Sequence, residues 1–148
     1  MADMPSSRET SGLSRTDGNR PDGATLDPWT RGRFIAWDAT AIHTCASSYI
    51  HLTSTVVGGV AEQAACRKSS KYTTLPATHE FIPVAIESLG PINRTGLSFL
   101  QELGRRMTEA TGNPRESMHL FQRLSICTQR FNVVAFKGTF EHVGDENL

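Results

Sequence analysis

The distribution of apolar and polar residues along the chain predicts three strands. Residues 33–40 form an apolar run with almost no polar alternation, so we expect a strand that is covered on both faces. Residues 81–88 predict a second strand, in which Pro83 places the first half at a sheet edge or a bulge. A shorter strand is expected over 20–26, joined to the first by a turn over 27–32 that contains Pro and Gly.

Helical spacing of apolar residues predicts three helices around these strands. The first spans 57–75 and the second 95–110, each with one apolar face. A third begins at Pro114, and its end stays open because 131–136 is also β-prone. Residues 44–51 fit either a short helix or a loop. The predicted fold class is α/β (α+β), with a small mixed sheet of about three to four strands flanked by helices and a C-terminal helical pair.

Polar composition at both ends sets the predicted domain limits. Residues 1–19 are rich in Ser, Arg, Gly, Asp and Thr, and we expect a disordered leader there. The predicted domain covers 20–139, and 140–148 are expected to form a flexible tail. The abrupt start of the domain at Arg20 suggests a fragment of something longer.

Composition and charge narrow the classes of protein. With 148 residues, 38% hydrophobic and 20% charged, the chain fits one globular domain. Its formal net charge is zero, which gives no global signature of nucleic-acid binding. Residues 20–137 nevertheless hold 13 Lys and Arg against nine Asp and Glu, a surplus of four positive charges.

Targeting and cysteine patterns predict an intracellular protein, nuclear or cytoplasmic. The three cysteines have no paired or zinc-ligand spacing, which is typical of free thiols in a reducing compartment. No apolar run approaches the roughly 18 residues of a membrane helix. The N-terminus has no apolar core of a signal peptide.

Two aspartates carry the first candidate chemistry, because counting across the turn pairs them. If the turn spans Pro28 to Gly32, Asp27 faces Arg33 and Asp22 faces Asp38. Directly opposed side chains share a face at roughly 5 Å, and two like charges there require a cation. Magnesium fits, since it binds one or two carboxylates together with water and phosphate oxygens. A slip of one residue would put the acids on opposite faces.

Two lysines on the first predicted helix form the second part of the candidate site. Lys68 falls in the middle of the apolar face, and Lys71 on its flank. A lysine aimed at a sheet needs a carboxylate or phosphate partner. We expect Lys68, with Lys71 second, to orient an attacking water and to neutralise charge in a phosphodiester reaction.

Each of these residues also has a structural interpretation. Asp38 is explained equally by a cap or an ion pair with Lys68, Tyr72 by core packing, and Glu87 by a salt bridge rather than a third acid. Two non-catalytic alternatives therefore stay open. One is a nucleic-acid-binding remnant that uses basic residues of the domain, namely Arg31, Arg33, Arg67, Lys68 and Lys71. The other is a plain α/β interaction module.

The ordered combination resembles the endonuclease domain of site-specific non-LTR retrotransposons, the restriction-like nuclease behind a reverse transcriptase. The motifs are Arg20-Pro21-Asp22, Trp37-Asp38-Ala39-Thr40 and Lys68-Ser69-Ser70-Lys71-Tyr72, and the resemblance covers roughly residues 20–139.

The resemblance implies a PD-(D/E)XK-like fold, with Asp22 and Asp38 as ligands of Mg²⁺. It implies magnesium-dependent nicking of target DNA, in a fragment that is active or has lost activity. Lys68 or Lys71 would replace the usual lysine two residues after the second acid, where this chain has Thr40. The chain also departs from such elements in having no reverse transcriptase, and no counterpart of the helix that precedes the first strand. Arg31, Arg33 and Arg67 would contact DNA.

Overall fold

The computed structural model describes residues 5–8, 20–44, 46, 48–49, 51 and 55–144. Four strands form one sheet in the order β1-β2-β3-β4, namely β1 (Ser6–Arg8), β2 (Gly23–Thr25), β3 (Phe34–Ile42) and β4 (His79–Glu87). The helices are α1 (Gly59–Lys71), between β3 and β4 in the chain, then α2 (Arg94–Thr111) and α3 (Glu116–Gly144). Over the described residues the fold is mixed α/β, with a four-stranded mixed sheet and three helices, as the sequence predicts.

The sheet combines an antiparallel half with a parallel pair. β2 runs antiparallel to both of its neighbours, β1 and β3, whereas β3 and β4 are parallel over nine residue pairs. Antiparallel neighbours need only a short turn, and the Trp29 N–H closes that turn by donating to the Arg33 carbonyl at 2.7 Å. Parallel neighbours need a crossover, which α1 supplies.

Helices cover both faces of the sheet, so β3 is buried from two sides. On one face the buried cluster joins α1 to the sheet through Ile42, Val60, Ala61, Ala64 and Ala85. On the other face, α2 and α3 pack on a cluster built around Ile35, Ile82, Val84 and Leu100. This double coverage explains the unbroken apolar run of β3.

The outer edge of β4 is covered by the segment that leads into α2, through the backbone of Pro91 and Asn93 and through the Asn93 side chain. Asn93 is 1% exposed; its Oδ1 accepts the Ala85 N–H at 2.8 Å and its Nδ2 donates to the Pro83 carbonyl at 3.0 Å. The amide therefore bonds to β4 as a further strand would. The prediction that Pro83 lies at an edge is confirmed, because β4 is the last strand of the sheet.

Close backbone approach fixes the pairing of α2 with α3. A Cβ atom at Gly104 would lie 2.6 Å from Ser117 Oγ, closer than van der Waals contact allows. The helix pair therefore requires glycine at this crossing. The turn between the helices also follows the sequence, since Gly112 is left-handed (φ 70°) and Asn113 Oδ1 accepts the Arg115 N–H at 3.0 Å.

Two predictions of secondary structure need correction, and one alternative that the sequence left open is resolved. Within the expected leader, Ser6–Arg8 form β1, because their backbone pairs with β2 although their side chains carry no apolar pattern. The β-prone segment 131–136 is helical, held where Asn132 Nδ2 donates to the Ser88 carbonyl at 2.7 Å. Residues 140–144, expected as tail, continue α3. Most of the leader, the last four residues and residues 45, 47 and 50 lie outside the described residues, so the choice between helix and loop over 44–51 stays open.

None of the helices among the described residues is long and apolar enough to cross a membrane.

Candidate functional site

The β2–β3 pairing sets two aspartates opposite each other. The register pairs Gly23 with Trp37 and Ala24 with Ala36, so the next pair in the same register is Asp22 with Asp38. This is the register obtained by counting across the turn. Both side chains therefore face the α1 side of the sheet.

A glycine beside the first acid allows the hairpin to close. A Cβ atom at Gly23 would lie 2.3 Å from Cζ2 of Trp37, so the indole occupies the space that any side chain at this position would need. Pro21, on the other side of Asp22, is fully buried. These neighbours hold the backbone of Asp22 in place from both sides.

The Asp22 carboxyl group bonds across the hairpin. Its Oδ2 accepts the backbone N–H of Ala39 at 2.7 Å, and the group lies within hydrogen-bonding reach of the Asp38 carboxyl. Partial loss of hydration raises the pKa of Asp22, and the hydrogen bond and negative charge of Asp38 raise it further. The Ala39 N–H and the Lys68 ammonium act in the opposite direction. The two acids are thus close enough to feel each other electrostatically.

Asp38 is the buried member of the pair. It is 5% exposed, and its Oδ2 lies 2.9 Å from Lys68 Nζ and 3.2 Å from the Tyr72 hydroxyl. Lys68 extends from the inner face of α1, where the buried residues Ala61, Ala64 and Ala65 leave space for its stem. A lysine in an otherwise alanine-rich face therefore meets the carboxylate partner that its position requires.

Tyr72 has a role that the sequence analysis did not foresee. Its ring stacks on Phe81 with a centroid separation of 4.3 Å, which is the packing role expected. Its hydroxyl also lies 2.7 Å from the Arg20 carbonyl and reaches Asp38. The signal available in the sequence was its position four residues after Lys68, on the same helix face.

A basic groove adjoins the acids where β3 passes under α1. It encloses about 390 Å³, and its lining residues include the cationic side chains Arg67, Lys68 and Lys71. Arg67 also lies 6.0 Å from the ring centre of Tyr49 and bonds to its hydroxyl at 3.3 Å. Lys71 is exposed and lines the groove, whereas Lys68 alone of the two contacts an acid. The groove thus presents positive charge beside the carboxylate pair.

Two of the predicted DNA contacts lie elsewhere. Arg33 donates to the His79 carbonyl at 3.2 Å and pairs with Glu80 at 3.8 Å, at the start of β3. Arg31 lies in the preceding turn, with a left-handed backbone (φ 51°). Five residues separate Arg33 from Asp38, or roughly 16 Å of strand. Of the three predicted arginines, the fold therefore brings only Arg67 to the groove.

Glu87 is structural, although not through the salt bridge that was expected. It is 4% exposed, and its Oε1 accepts the Ala61 N–H at 3.0 Å in the first turn of α1. A carboxylate is favourable at a helix N-terminus, because unpaired N–H groups and the helix dipole both attract negative charge. Glu87 pairs with Ile42, four residues along β3 from Asp38, so it does not join the acid pair.

The donor set at the acid pair fits a hard divalent cation. Asp22 and Asp38 offer carboxylate oxygens on one face, and partial loss of hydration, followed by the hydrogen bond and negative charge of Asp38, raises the pKa of Asp22. Magnesium uses one or two protein carboxylates and completes its shell with water and phosphate oxygens. Among the described residues no group of three or more His, Cys, Asp or Glu side chains could hold a metal ion, so a cation here would depend on such outer ligands.

No protein-family model matches the chain, and neither a curated protein nor a solved structure matches it. The residues that resemble the retrotransposon nuclease motif lie in or beside β2, β3 and α1. Function is therefore inferred from the geometry of the acid pair, Lys68 and the groove.

Proposed function

We propose that the chain is an endonuclease-like domain of the PD-(D/E)XK type, derived from a retroelement, that nicks DNA by metal-dependent hydrolysis of a phosphodiester. The observation that carries the proposal is the meeting of Asp22, Asp38 and Lys68 on one face of the sheet. These three residues come from separate parts of the chain and follow the order acid, acid, lysine that the resemblance describes, with the lysine on α1 instead of two residues after the second acid.

The arrangement of the sheet supports this type of nuclease. The two acids lie at an antiparallel hairpin, and the lysine comes from the crossover helix that leads to the parallel strand β4. Thr40, where the usual lysine of the type would stand, lines the same groove as Lys68. A lysine delivered by α1 therefore reaches the region that a lysine on β3 would occupy.

Asp22 and Asp38 would hold Mg²⁺, which when bound lowers the pKa of a water ligand and neutralises charge on the phosphate. Lys68 places its ammonium against Asp38, where it can orient the water and stabilise the charge that develops on the phosphorane oxygens. Arg67 and Lys71 in the groove would bind the neighbouring phosphates of the strand.

The test of the proposal is nicking of supercoiled plasmid in Mg²⁺. We expect nicking that EDTA abolishes and that Asp22→Asn and Asp38→Asn each reduce by about a hundredfold or more. Asp27→Asn is the matched control, because this exposed acid lies in the turn of the same hairpin and away from the site. Absence of magnesium-dependent nicking, or equal nicking by Asp38→Asn, contradicts the proposal.

A non-catalytic nucleic-acid-binding remnant is the second candidate. The Lys68–Asp38 ion pair favours it, because such a pair can be purely structural and needs no catalytic role. It predicts DNA binding without nicking. Binding to the groove should weaken steeply with salt, fall in Arg67→Gln and Lys71→Gln, and persist in Asp22→Asn. Fluorescence anisotropy with labelled DNA at several salt concentrations separates the two candidates.

A further inference from the structure

The Tyr72 hydroxyl bridges the two chain segments that carry the acids. Its oxygen lies 2.7 Å from the carbonyl of Arg20, two residues before Asp22, and 3.2 Å from Oδ2 of Asp38. Both neighbours are acceptors, so the single phenolic proton lies between a carbonyl and a carboxylate. One hydroxyl therefore ties the approach to β2 to the middle of β3.

Packing alone accounts for the ring of Tyr72 and leaves the hydroxyl unexplained. The residue is 5% exposed and stacks on Phe81, a contact that phenylalanine would make equally well. A buried hydroxyl is favourable only where it finds partners, and the Arg20 carbonyl and Asp38 belong to the flank of the acid pair and to the pair itself.

The contacts made by Oδ2 of Asp38 explain how its carboxyl group is oriented. Lys68 Nζ and the Tyr72 hydroxyl both approach Oδ2, from two positions one turn apart on α1. Lys68 donates to this oxygen, and the Tyr72 hydroxyl shares its one proton between this oxygen and the Arg20 carbonyl, so both contacts orient the carboxyl group through Oδ2 and leave Oδ1 free of both. The Arg20 contact fixes the opposing segment relative to the same hydroxyl.

We propose that Tyr72 is a positioning residue that sets the separation and orientation of the Asp22 and Asp38 carboxyl groups. Its effect on a metal rests on the proposed function, whereas its effect on the hairpin does not. The hydroxyl acts as a spacer of fixed length, because the ring is held by Phe81 and the chain on each side is held by β2 and β3.

The test compares Tyr72→Phe with Tyr49→Phe. Tyr49 is the other tyrosine of the chain, and its hydroxyl contacts Arg67 in the same groove. With Mn²⁺ as the probe in isothermal titration calorimetry, we expect the Kd to rise about tenfold or more in Tyr72→Phe. The Kd should stay within about twofold of the wild type in Tyr49→Phe. An unchanged Kd in Tyr72→Phe overturns the proposal.

A wild-type protein that binds no Mn²⁺ would contradict the proposed function. A second measurement tests the role of Tyr72 independently of metal binding. The Ala39 amide donates to Asp22 Oδ2 at 2.7 Å, so its hydrogen exchange reports on the position of Asp22. We expect Tyr72→Phe to speed Ala39 exchange about tenfold relative to the adjacent Thr40 amide, which lies within the β3–β4 ladder. An unchanged ratio overturns the proposal, because loss of packing alone would speed both amides together.

Discussion

The stability of the candidate site depends mainly on Asp38, because this residue is a buried charge whose partners come from another element. Lys68 provides the opposite charge at 2.9 Å, and its side chain remains 29% exposed. Partial hydration of the ammonium reduces the cost of bringing it inside. Without this lysine the carboxylate would be a buried charge with no cation. The free-energy cost of such an unpaired charge is much larger than the net stabilisation that the ion pair gives.

The first prediction at this scale is a double-mutant cycle. Lys68→Met should lower the free energy of unfolding by about 1–3 kcal/mol, because it leaves Asp38 ionised and unpaired. Adding Asp38→Asn should restore much of that loss, since the uncompensated charge is gone. Urea denaturation of the wild type, both single variants and the double variant measures the coupling.

A double variant no more stable than Lys68→Met alone would contradict this account of the pair. Arg67→Met is the matched control, because it removes a cation from the neighbouring position on α1, where the side chain is exposed and contacts no acid in the described structure. It should change the unfolding free energy by well under 1 kcal/mol.

The sequence predicts the acid pair and Lys68 because both follow from periodicity. The pairing of Asp22 with Asp38 follows from counting across a turn, and the inward direction of Lys68 from helical spacing. The hydroxyl of Tyr72 was beyond such counting, since its bond to Arg20 joins residues 52 positions apart. Arg31 and Arg33 lie outside the groove, because charge alone shows neither where an arginine lies in the fold nor whether an acid from another strand, here Glu80 for Arg33, pairs with it.

At the scale of the element, α2 is reinforced by an ionic cluster that also holds the hairpin. Glu102 bonds to Arg105 and Arg106, and Arg106 continues to the Trp29 carbonyl at 2.8 Å. The Arg106 guanidinium lies 3.8 Å from the ring centre of Trp29. One acid on α2 therefore orients the arginine that anchors the β2–β3 turn.

The second prediction concerns the pH dependence of this cluster. Hydrogen bonds from Arg105 and Arg106 lower the pKa of Glu102 from 4.5 to about 2. The stabilisation is therefore complete above the ordinary carboxyl pKa and is lost as the pH falls towards about 2. Glu102→Gln should lower the thermal midpoint at neutral pH by a few degrees, corresponding to about 1 kcal/mol, and the difference should vanish in acid.

Glu109→Gln is the control for this prediction, because Glu109 bonds to Arg105 and not to the arginine that anchors Trp29. Its effect should be smaller at every pH. Thermal melts followed by circular dichroism across the acid range provide the comparison. A deficit in Glu102→Gln that persists unchanged at low pH would contradict the role of its charge.

At the scale of the whole molecule, the strands with an apolar side-chain pattern could be predicted from the sequence. The strand that is held only by backbone hydrogen bonds could not. The apolar runs of β3 and β4 predict both strands, and these runs occur because helices cover the sheet on both faces. β1 consists of Ser6, Ser7 and Arg8, and joins through ladder hydrogen bonds that leave no mark on the pattern. The helical state of 131–136 likewise depends on tertiary contacts that override local propensity.

The third prediction concerns the closed side of the sheet. Asn93→Ala would leave the Ala85 N–H and the Pro83 carbonyl without their partners. We expect a loss of about 1–3 kcal/mol in unfolding free energy, and association that increases with protein concentration through the newly unpaired edge. Chemical denaturation and size-exclusion chromatography at several concentrations measure the two effects.

Asn113→Ala serves as the comparison, since this asparagine caps the turn before α3 and lies away from the sheet. It should cost about 1 kcal/mol through the lost cap and leave the molecule at the same elution volume at all concentrations. Concentration-dependent association of both variants, or of neither, would contradict the assignment of Asn93 to edge protection.

The two faces of the sheet also differ in their aromatic residues, and this gives the molecule separate optical reporters. Both tryptophans contact Phe99 on the face covered by α2, where the ring of Trp37 is stacked and that of Trp29 is tilted. Both tyrosines, Tyr49 and Tyr72, lie on the face covered by α1, beside the groove. Selectively excited tryptophan emission should therefore follow the packing of α2. Tyrosine absorbance should follow events at the acid pair without any added label.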